Sequence, residues 1–193
     1  MKKLIVASEN KGKIKEIKEI LKDKYEVVSM GEVGFKEEIE ETGSTFYENA
    51  LLKAKAVSAA LNVDALADDS GLMVDALGGK PGIFSARYSG VHGDDAANRK
   101  KLLEELKNYT DNKDRKAKFV SSVVLYKPNG EIISGDGETR GFIAFSEEGN
   151  NGFGYDCIFI SDDLNKSFGV ASAEEKNAVS HRKRALIDLL GKL

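Results

Sequence analysis

The chain holds 193 residues, 41% hydrophobic and 32% charged, a balance that excludes intrinsic disorder and allows a core without covalent staples. Its 29 basic and 32 acidic side chains sum to −3, so no global positive field marks a nucleic-acid binder. One cysteine, Cys157, and two histidines, His92 and His181, exclude an internal disulfide, a thiolate zinc site and a histidine-rich metal site. Chemistry must then rest on carboxylates, lysines and main chain.

No stretch approaches the ~18 apolar residues of a membrane span. The apolar run behind Met1-Lys2-Lys3 is too brief for a signal peptide, so the sequence reads as a soluble, cytoplasmic protein. Residues 3–7 form a short apolar strand, followed by a helix whose Ile14, Ile17, Ile20 and Leu21 fall on one stripe opposite Lys11, Lys15, Lys18, Glu19 and Lys22. Residues 25–29 read as a second strand, which makes the opening a βαβ-like unit. Thr45 and Glu48 have the spacing of a capping box, opening a helix to about Leu61. A short strand at 65–67 is expected to end in Asp68-Asp69-Ser70-Gly71, and Gly78-Gly79-Lys80-Pro81-Gly82 marks a loop. Residues 94–108 are helical, with Leu102, Leu103 and Leu106 on the apolar side. Residues 116–145 alternate as two long strands about a Pro128-Asn129-Gly130 turn. A second glycine-rich loop at 149–154 leads into a strand at 155–160, and residues 173–190 are helical with a break near Ser180. With no repeat or linker, the chain reads as one domain, 1–193, in two lobes.

Three loops carry the residue types of a nucleotide site. Ser8-Glu9-Asn10-Lys11-Gly12-Lys13 joins a strand to a helix N-terminus, whose free N–H groups and positive dipole end suit a phosphate, although the same segment reads as an ordinary capped turn. Asp68 and Asp69 point to opposite faces of a strand, so one of them can hold Mg²⁺ or deprotonate water. A plain Asp-Ser-Gly turn is the alternative. Gly152-Phe153-Gly154-Tyr155-Asp156 sets an aromatic on permissive backbone, a platform for a base or simply a ring tucked into the core. His181 and Arg182 can donate to the O6 and N7 acceptors of an oxo-purine, or lie on a helix surface.

Taken in order, Ser8-x-Asn10-x-x-Lys13, Glu40-x-x-Gly43-x-Thr45-Phe46-x-x-Asn49-Ala50-x-x-Lys53-Ala54, Asp68-Asp69-Ser70-Gly71-Leu72, Pro81-Gly82-x-x-Ser85-Ala86-Arg87, Gly152-Phe153-Gly154-Tyr155-Asp156 and Glu175-Lys176-x-x-x-Ser180-His181-Arg182 resemble the Ham1/ITPase family of nucleoside-triphosphate pyrophosphatases. The resemblance spans essentially the whole chain. It implies an elongated, two-lobed α/β fold with a long mixed sheet flanked by helices, the lobes enclosing a nucleotide cleft, and a homodimeric enzyme. The implied reaction is Mg²⁺-dependent hydrolysis of ITP, dITP and XTP to the monophosphate and pyrophosphate, which keeps deaminated purines out of DNA and RNA. By motif match Ser8, Glu9, Asn10, Lys11, Gly12 and Lys13 would contact the triphosphate, with Lys53 nearby, and Ser70 would be among the substrate-binding residues. Glu40 and Asp69 would serve the metal, Asp69 also as the base for water. Phe153, Gly154, Tyr155, Asp156, Lys176, His181 and Arg182 would hold the purine. Glu9 stands where the family usually has a small residue, and Cys157 where it has proline. No nucleic-acid or membrane partner is implied. The competing readings are a Maf-like pyrophosphatase with another base preference and a nucleotide-binding protein without turnover.

Overall fold

The computed structural model describes every residue from Met1 to Leu193. Its strands are β1 (Lys2–Val6), β2 (Tyr25–Ser29), β3 (Ala65–Val74), β4 (Lys116–Tyr126), β5 (Ile132–Ile143), β6 (Phe159–Ser161) and β7 (Lys166–Ser167). Its helices are α1 (Lys11–Leu21), α2 (Phe46–Leu61), α3 (Asp95–Glu105), α4 (Ala173–Val179) and α5 (His181–Leu190). The strands form one seven-stranded sheet in the order β2-β1-β3-β4-β5-β6-β7. β1 pairs in parallel with β2 and β3, whereas β6 is antiparallel to β5 and β7, so the sheet is mixed, as expected of the α/β class. No helix is long and apolar enough to cross a membrane.

Two compact units share these elements. The first comprises Met1–Asp69, Ser121–Gly137 and Arg182–Leu193, and the second Ser70–Val120 and Glu138–His181, so β3, β4 and β5 each contribute to both. In the first unit the strand period of two sorts side chains between two cores. Leu4, Val6, Leu66, Val123 and Leu125 pack with Ile17 and Leu21 of α1 and Ala185, Leu186 and Leu189 of α5. Their neighbours Ile5, Ala7, Ala65, Ala67 and Val124 pack instead with Ala50, Ala54 and Val57 of α2. α5 lies close against β5 at Gly135, since a Cβ there would collide with the helix main chain at Ala185 and Leu189.

The second unit has its own core, built from Leu72, Val74, Leu102, Leu106, Phe119, Ile143, Tyr155, Ile158, Phe159 and Phe168. Beside it lies Arg115, 2% exposed, which donates to four carbonyls: Leu106 at 2.7 Å, Tyr109 at 3.1 Å, and Ile143 and Ala144 both at 2.8 Å.

Local signals succeed at most helix ends. Asn10 caps α1 by accepting from the Lys13 N–H, Asp94 caps α3 through Ala97, and Ser180 separates α4 from α5 in an extended conformation. The expected capping box of α2 forms only by half. Thr45 accepts from the Glu48 N–H, but the Glu48 carboxylate takes the N–H of Ser44, one residue further out. Two strand expectations are corrected. β3 does not stop at Asp68 but continues to Val74, because its polar residues find partners on other elements. Residues 155–158 are not strand. The Asp156 carboxylate turns back to accept the Phe153 N–H, and a 3-10 turn at Asp156–Ile158 leaves only Phe159–Ser161 to pair.

Candidate active site

β3 presents Asp68 and Asp69 in succession, and the pleat sends them to opposite faces. Asp68 shares the face of Leu66, toward α1 and α5. It is fully buried and accepts on Oδ2 from Arg182 Nε at 3.1 Å and Nη2 at 3.0 Å, with Lys13 Nζ 3.2 Å from the same oxygen, while Oδ1 accepts the Ser121 hydroxyl. The third nitrogen of the guanidinium, Nη1, bonds Glu16 of α1. Burial alone would lower the Arg182 pKa, but Asp68 and Glu16 outweigh it and hold the guanidinium above its usual value.

Asp69 shares the face of Ala65 and Ala67, toward α2. Lys53, one helical turn beyond Asn49, reaches Asp69 Oδ1 at 3.1 Å, the Asp68 carbonyl at 3.1 Å and Glu41 Oε1 at 3.0 Å. Lys13 Nζ lies 3.4 Å from that same carbonyl, so two lysines converge on one strand position. Burial pulls Lys53 down, yet Asp69 and Glu41 prevail and raise its pKa. Lys13 goes the other way: burial, with Lys53 nearby, holds it low in spite of Asp68. Burial also raises Asp69 above the usual carboxylate range, against the pull of Lys53 and Lys13. The second Asp69 oxygen, Oδ2, is buried without a hydrogen-bond partner. A carboxylate so placed is suited to take a proton or a cation.

Near this point the first loop forms a capped turn into α1. The Ser8 hydroxyl accepts the Asn10 N–H at 3.2 Å and Asn10 caps α1, whose half-buried second residue is Gly12; Glu9 and Lys11 are exposed. Glu40 is a different matter. It is exposed and no contact brings it to Asp69, whereas its neighbour Glu41 is bonded to Lys53. The segment is fixed by Asn49, which accepts the Gly43 N–H at 2.8 Å. Burial alternates from Ile39 to Gly43, and of the two glutamates it is Glu41 that is half-buried and Glu40 that is exposed. No group of three or more acidic, His or Cys side chains gathers anywhere in the chain. Glu41 and Asp69, held through one lysine, nevertheless match the one or two carboxylates that Mg²⁺ takes together with water and phosphate.

In the second unit the Gly152–Asp156 loop is drawn around one carboxylate. Asp156 accepts the Phe153 N–H at 3.0 Å and pairs with Lys176 Nζ at 2.6 Å, both charges almost fully buried. The Lys176 ammonium also stands over the Phe153 ring, 4.7 Å from its centroid, in a cation–π contact. Gly152 has φ +73°, and a Cβ there would strike the Asp156 carboxylate, so this position requires glycine. The Tyr155 hydroxyl donates to the Ser85 carbonyl at 2.7 Å. His181 stacks on Phe119, centroids 4.9 Å apart, and Ser70 is half-buried on β3. Phe153, Gly154, Tyr155, Asp156 and Lys176 are therefore one assembly. Arg182 is not part of it: only 1% exposed, its guanidinium holds Asp68 and Glu16 in the first unit instead of offering donors to a purine edge.

Sequence reading missed Glu41 and Glu16. Glu41 adjoins Glu40 in the run Glu37-Glu38-Ile39-Glu40-Glu41, where nothing local distinguishes one carboxylate from another. Glu16 did carry a signal, since it lies three residues after Lys13 and beside Ile17 of the buried stripe.

Comparison with known proteins gives a consistent result. The Ham1 family profile matches residues 4–192. The dITP/XTP pyrophosphatase of Bacillus subtilis (strain 168) is 49% identical over 187 residues, which cover 96% of this chain and 94% of that protein. The dITP/XTP pyrophosphatase of Haemophilus influenzae is 46% identical over 194 residues, covering 99% and 98%. Among solved structures, the Ham1 protein of Staphylococcus aureus aligns with a TM-score of 0.86 at 45% identity, over 99% of this chain and 97% of that one. A HAM1 protein from Coxiella burnetii reaches 0.87 at 39% identity over 100% of both chains.

Proposed function

This chain belongs to the Ham1 family, and from that premise we propose that it hydrolyses dITP, XTP and ITP to the nucleoside monophosphate and pyrophosphate. The observation that carries the reading is the convergence of Lys13 and Lys53 on the Asp68 carbonyl, beside an Asp69 carboxylate with one buried, unpartnered oxygen. Anhydride hydrolysis asks a protein mainly for positioning and charge neutralisation. Two ammonium groups and the N-terminus of α1, with Ser8 and Asn10, answer the charge of a triphosphate. Asp69, its pKa raised by burial, is the group suited to take a proton from the attacking water.

Glu41 and Asp69 would hold Mg²⁺, which when bound supplies charge neutralisation on the phosphate oxygens. Glu40 is left out of that set because Glu41 is the glutamate beside Lys53.

Base selection falls to the second unit in this reading. The Phe153 ring offers a stacking face, and Lys176 a buried ammonium with three donors. An oxo-purine presents an O6 acceptor, whereas adenine presents an amino donor. Donor against donor leaves a buried polar group unsatisfied, a penalty of roughly 1–3 kcal/mol against dATP. Ser70, Tyr155, Asp156 and His181 keep the roles that the family motifs give them, and the working form is a cytoplasmic homodimer.

One assay tests the reading. The chain is incubated with dITP, XTP, dTTP or dATP and Mg²⁺, and pyrophosphate and orthophosphate are measured, with a chelator control. Pyrophosphate from dITP and XTP alone is the expected result. Orthophosphate as sole product, preference for dTTP, or no turnover would each overturn it. Sedimentation velocity checks the dimer.

A further inference from the structure

Gly154 of the purine-side loop is gripped at both ends of its own residue. Asp95 Oδ2 accepts its N–H at 2.9 Å, and Arg99 Nη1 donates to its carbonyl at 2.8 Å. Asp95 and Arg99 are four residues apart on α3, so they stand on one helix face and close on the glycine like two fingers. The Arg99 side chain is largely covered, and its Nε is fixed by Glu147 at 2.7 Å.

The helix that carries this grip is itself immobilised. Leu102 is fully buried in the core of the second unit. Asn98 donates to the Ala86 carbonyl at 3.2 Å and accepts the Ser89 N–H at 2.8 Å, which ties α3 to the 3-10 turn at Gly82–Arg87. That turn carries Ser85, whose carbonyl receives the Tyr155 hydroxyl. Gly152 and Gly154 have φ values of +73° and +60°, a backbone with wide freedom in the absence of such ties. Phe153 sits between them.

We propose that Asp95 and Arg99 are positioning residues for base recognition. By holding Gly154 from both sides they fix the Phe153 ring and the Asp156–Lys176 pair at the spacing a purine requires. The proposal rests on the reading of Phe153 as the base platform given above. It assigns specificity to residues that touch neither base nor phosphate, and it predicts that cutting either bond to Gly154 costs affinity for the base while leaving phosphate handling intact. A charge-assisted bond to a main-chain group is worth roughly a factor of 10 in affinity.

The test uses four variants of the full chain. Arg99→Met keeps the aliphatic stem and removes the donor. Asp95→Ala removes the acceptor. Asp94→Ala removes the N-cap bond of the same helix, made to the Ala97 N–H at 3.0 Å, and touches nothing in the loop. Phe153→Ala removes the platform. Readouts are kcat and KM for dITP, the inhibition constant of inorganic tripolyphosphate, which has no base, the thermal midpoint, and amide hydrogen exchange over residues 152–156.

Arg99→Met and Asp95→Ala should raise the KM for dITP about 10-fold. Their kcat should stay within about twofold and the tripolyphosphate constant should be unchanged, while the loop amides exchange faster. Asp94→Ala should lower the thermal midpoint and leave KM alone. If the tripolyphosphate constant rises in step with KM, or if Asp94→Ala reproduces the KM change, the pair acts through general helix stability and the proposal is wrong. If Phe153→Ala raises KM and Arg99→Met does not, the base platform stands and the grip has no role. If Phe153→Ala leaves KM unchanged, the base-platform reading fails, and this proposal with it.

Discussion

Replacing Arg182 with alanine removes the cation between two carboxylates in a region closed to water. Asp68 has no exposed side-chain surface, Glu16 has 10%, and the guanidinium spends Nε and Nη2 on Asp68 and Nη1 on Glu16. Deleting one partner of such a buried group leaves uncompensated charge, at about 3–5 kcal/mol. Against a total stability of about 5–15 kcal/mol for a domain, that is at least about a fifth of what holds the chain folded. Urea unfolding at pH 7 should show the midpoint falling by roughly 1–5 M, given slopes of roughly 1–3 kcal/mol/M. Part of the loss should return as the pH is lowered, because protonating the orphaned carboxylates removes the buried charge. Arg182→Lys should rescue little, since a point ammonium cannot span both partners. Any residual activity should fall by the same factor for dITP and dATP. A loss below about 1 kcal/mol, as for a surface arginine, would refute the reasoning. So would a drop confined to dITP, which would return Arg182 to the purine edge where sequence reading placed it.

The remaining predictions concern the first unit. Asp69→Asn should keep the fold and lower kcat about 10²–10⁴-fold, as loss of a general base does; near-normal turnover at saturating Mg²⁺ would move the role to another carboxylate. Lys13→Ala and Lys53→Ala should each cut kcat/KM for dITP and dATP alike, by roughly 10- to 100-fold, measured at one salt concentration, because bonds to phosphate carry no base information. A severalfold change in the dITP-to-dATP ratio would place that lysine at the base. Glu32 is held at a pKa of about 2, against an ordinary value of 4.5, chiefly by the Ser29 N–H, then the Ser29 hydroxyl and Lys18. A depressed carboxylate stabilises the fold above its unfolded pKa and loses that contribution as the pH falls through the folded one. The urea midpoints of wild type and Glu32→Gln should therefore differ at pH 6 and converge between about pH 4.5 and pH 2. A gap that persists at pH 2 would refute it.

Helices whose stripe and cap lie close together in sequence could be read directly. Ile17 and Leu21 of α1, the capped turn at 8–13, the Thr45 cap and the helix start near Asp94 are local facts, and the structure keeps them. What escaped depends on partners far along the chain. Asp68-Asp69-Ser70-Gly71 has turn chemistry by itself, yet it continues β3 because Asp68 meets Ser121, 53 residues on, and Arg182, 114 residues on. The strand that reads from Tyr155 fails for a local reason instead, because the Asp156 carboxylate turns back to the Phe153 N–H and opens a 3-10 turn. Arg182 was the harder case. A guanidinium suits a purine edge and a carboxylate equally well, and only the position of Asp68 on the face turned to α5 decides between them. Glu40 and Glu41 differ only in which side of the chain they occupy, and it is Glu41 that lies on the half-buried side.

Arg115 shows a different way to keep a charge inside a protein. Its partners are the carbonyls of Leu106, Tyr109, Ile143 and Ala144, and no carboxylate is among them. Carbonyls do not titrate, so acid that neutralises Asp68 and Glu16 around the other buried arginine leaves this one with every acceptor it had. Carbonyls also belong to the backbone and not to any residue type. The side chains at these four positions can drift through substitution without deleting a single partner, whereas Arg115 itself has no substitute, because the three donors of one lysine ammonium cannot reach four carbonyls on two separate segments at once. The contact ties the chain behind α3 to the end of β5 at the cost of one invariable position and none elsewhere.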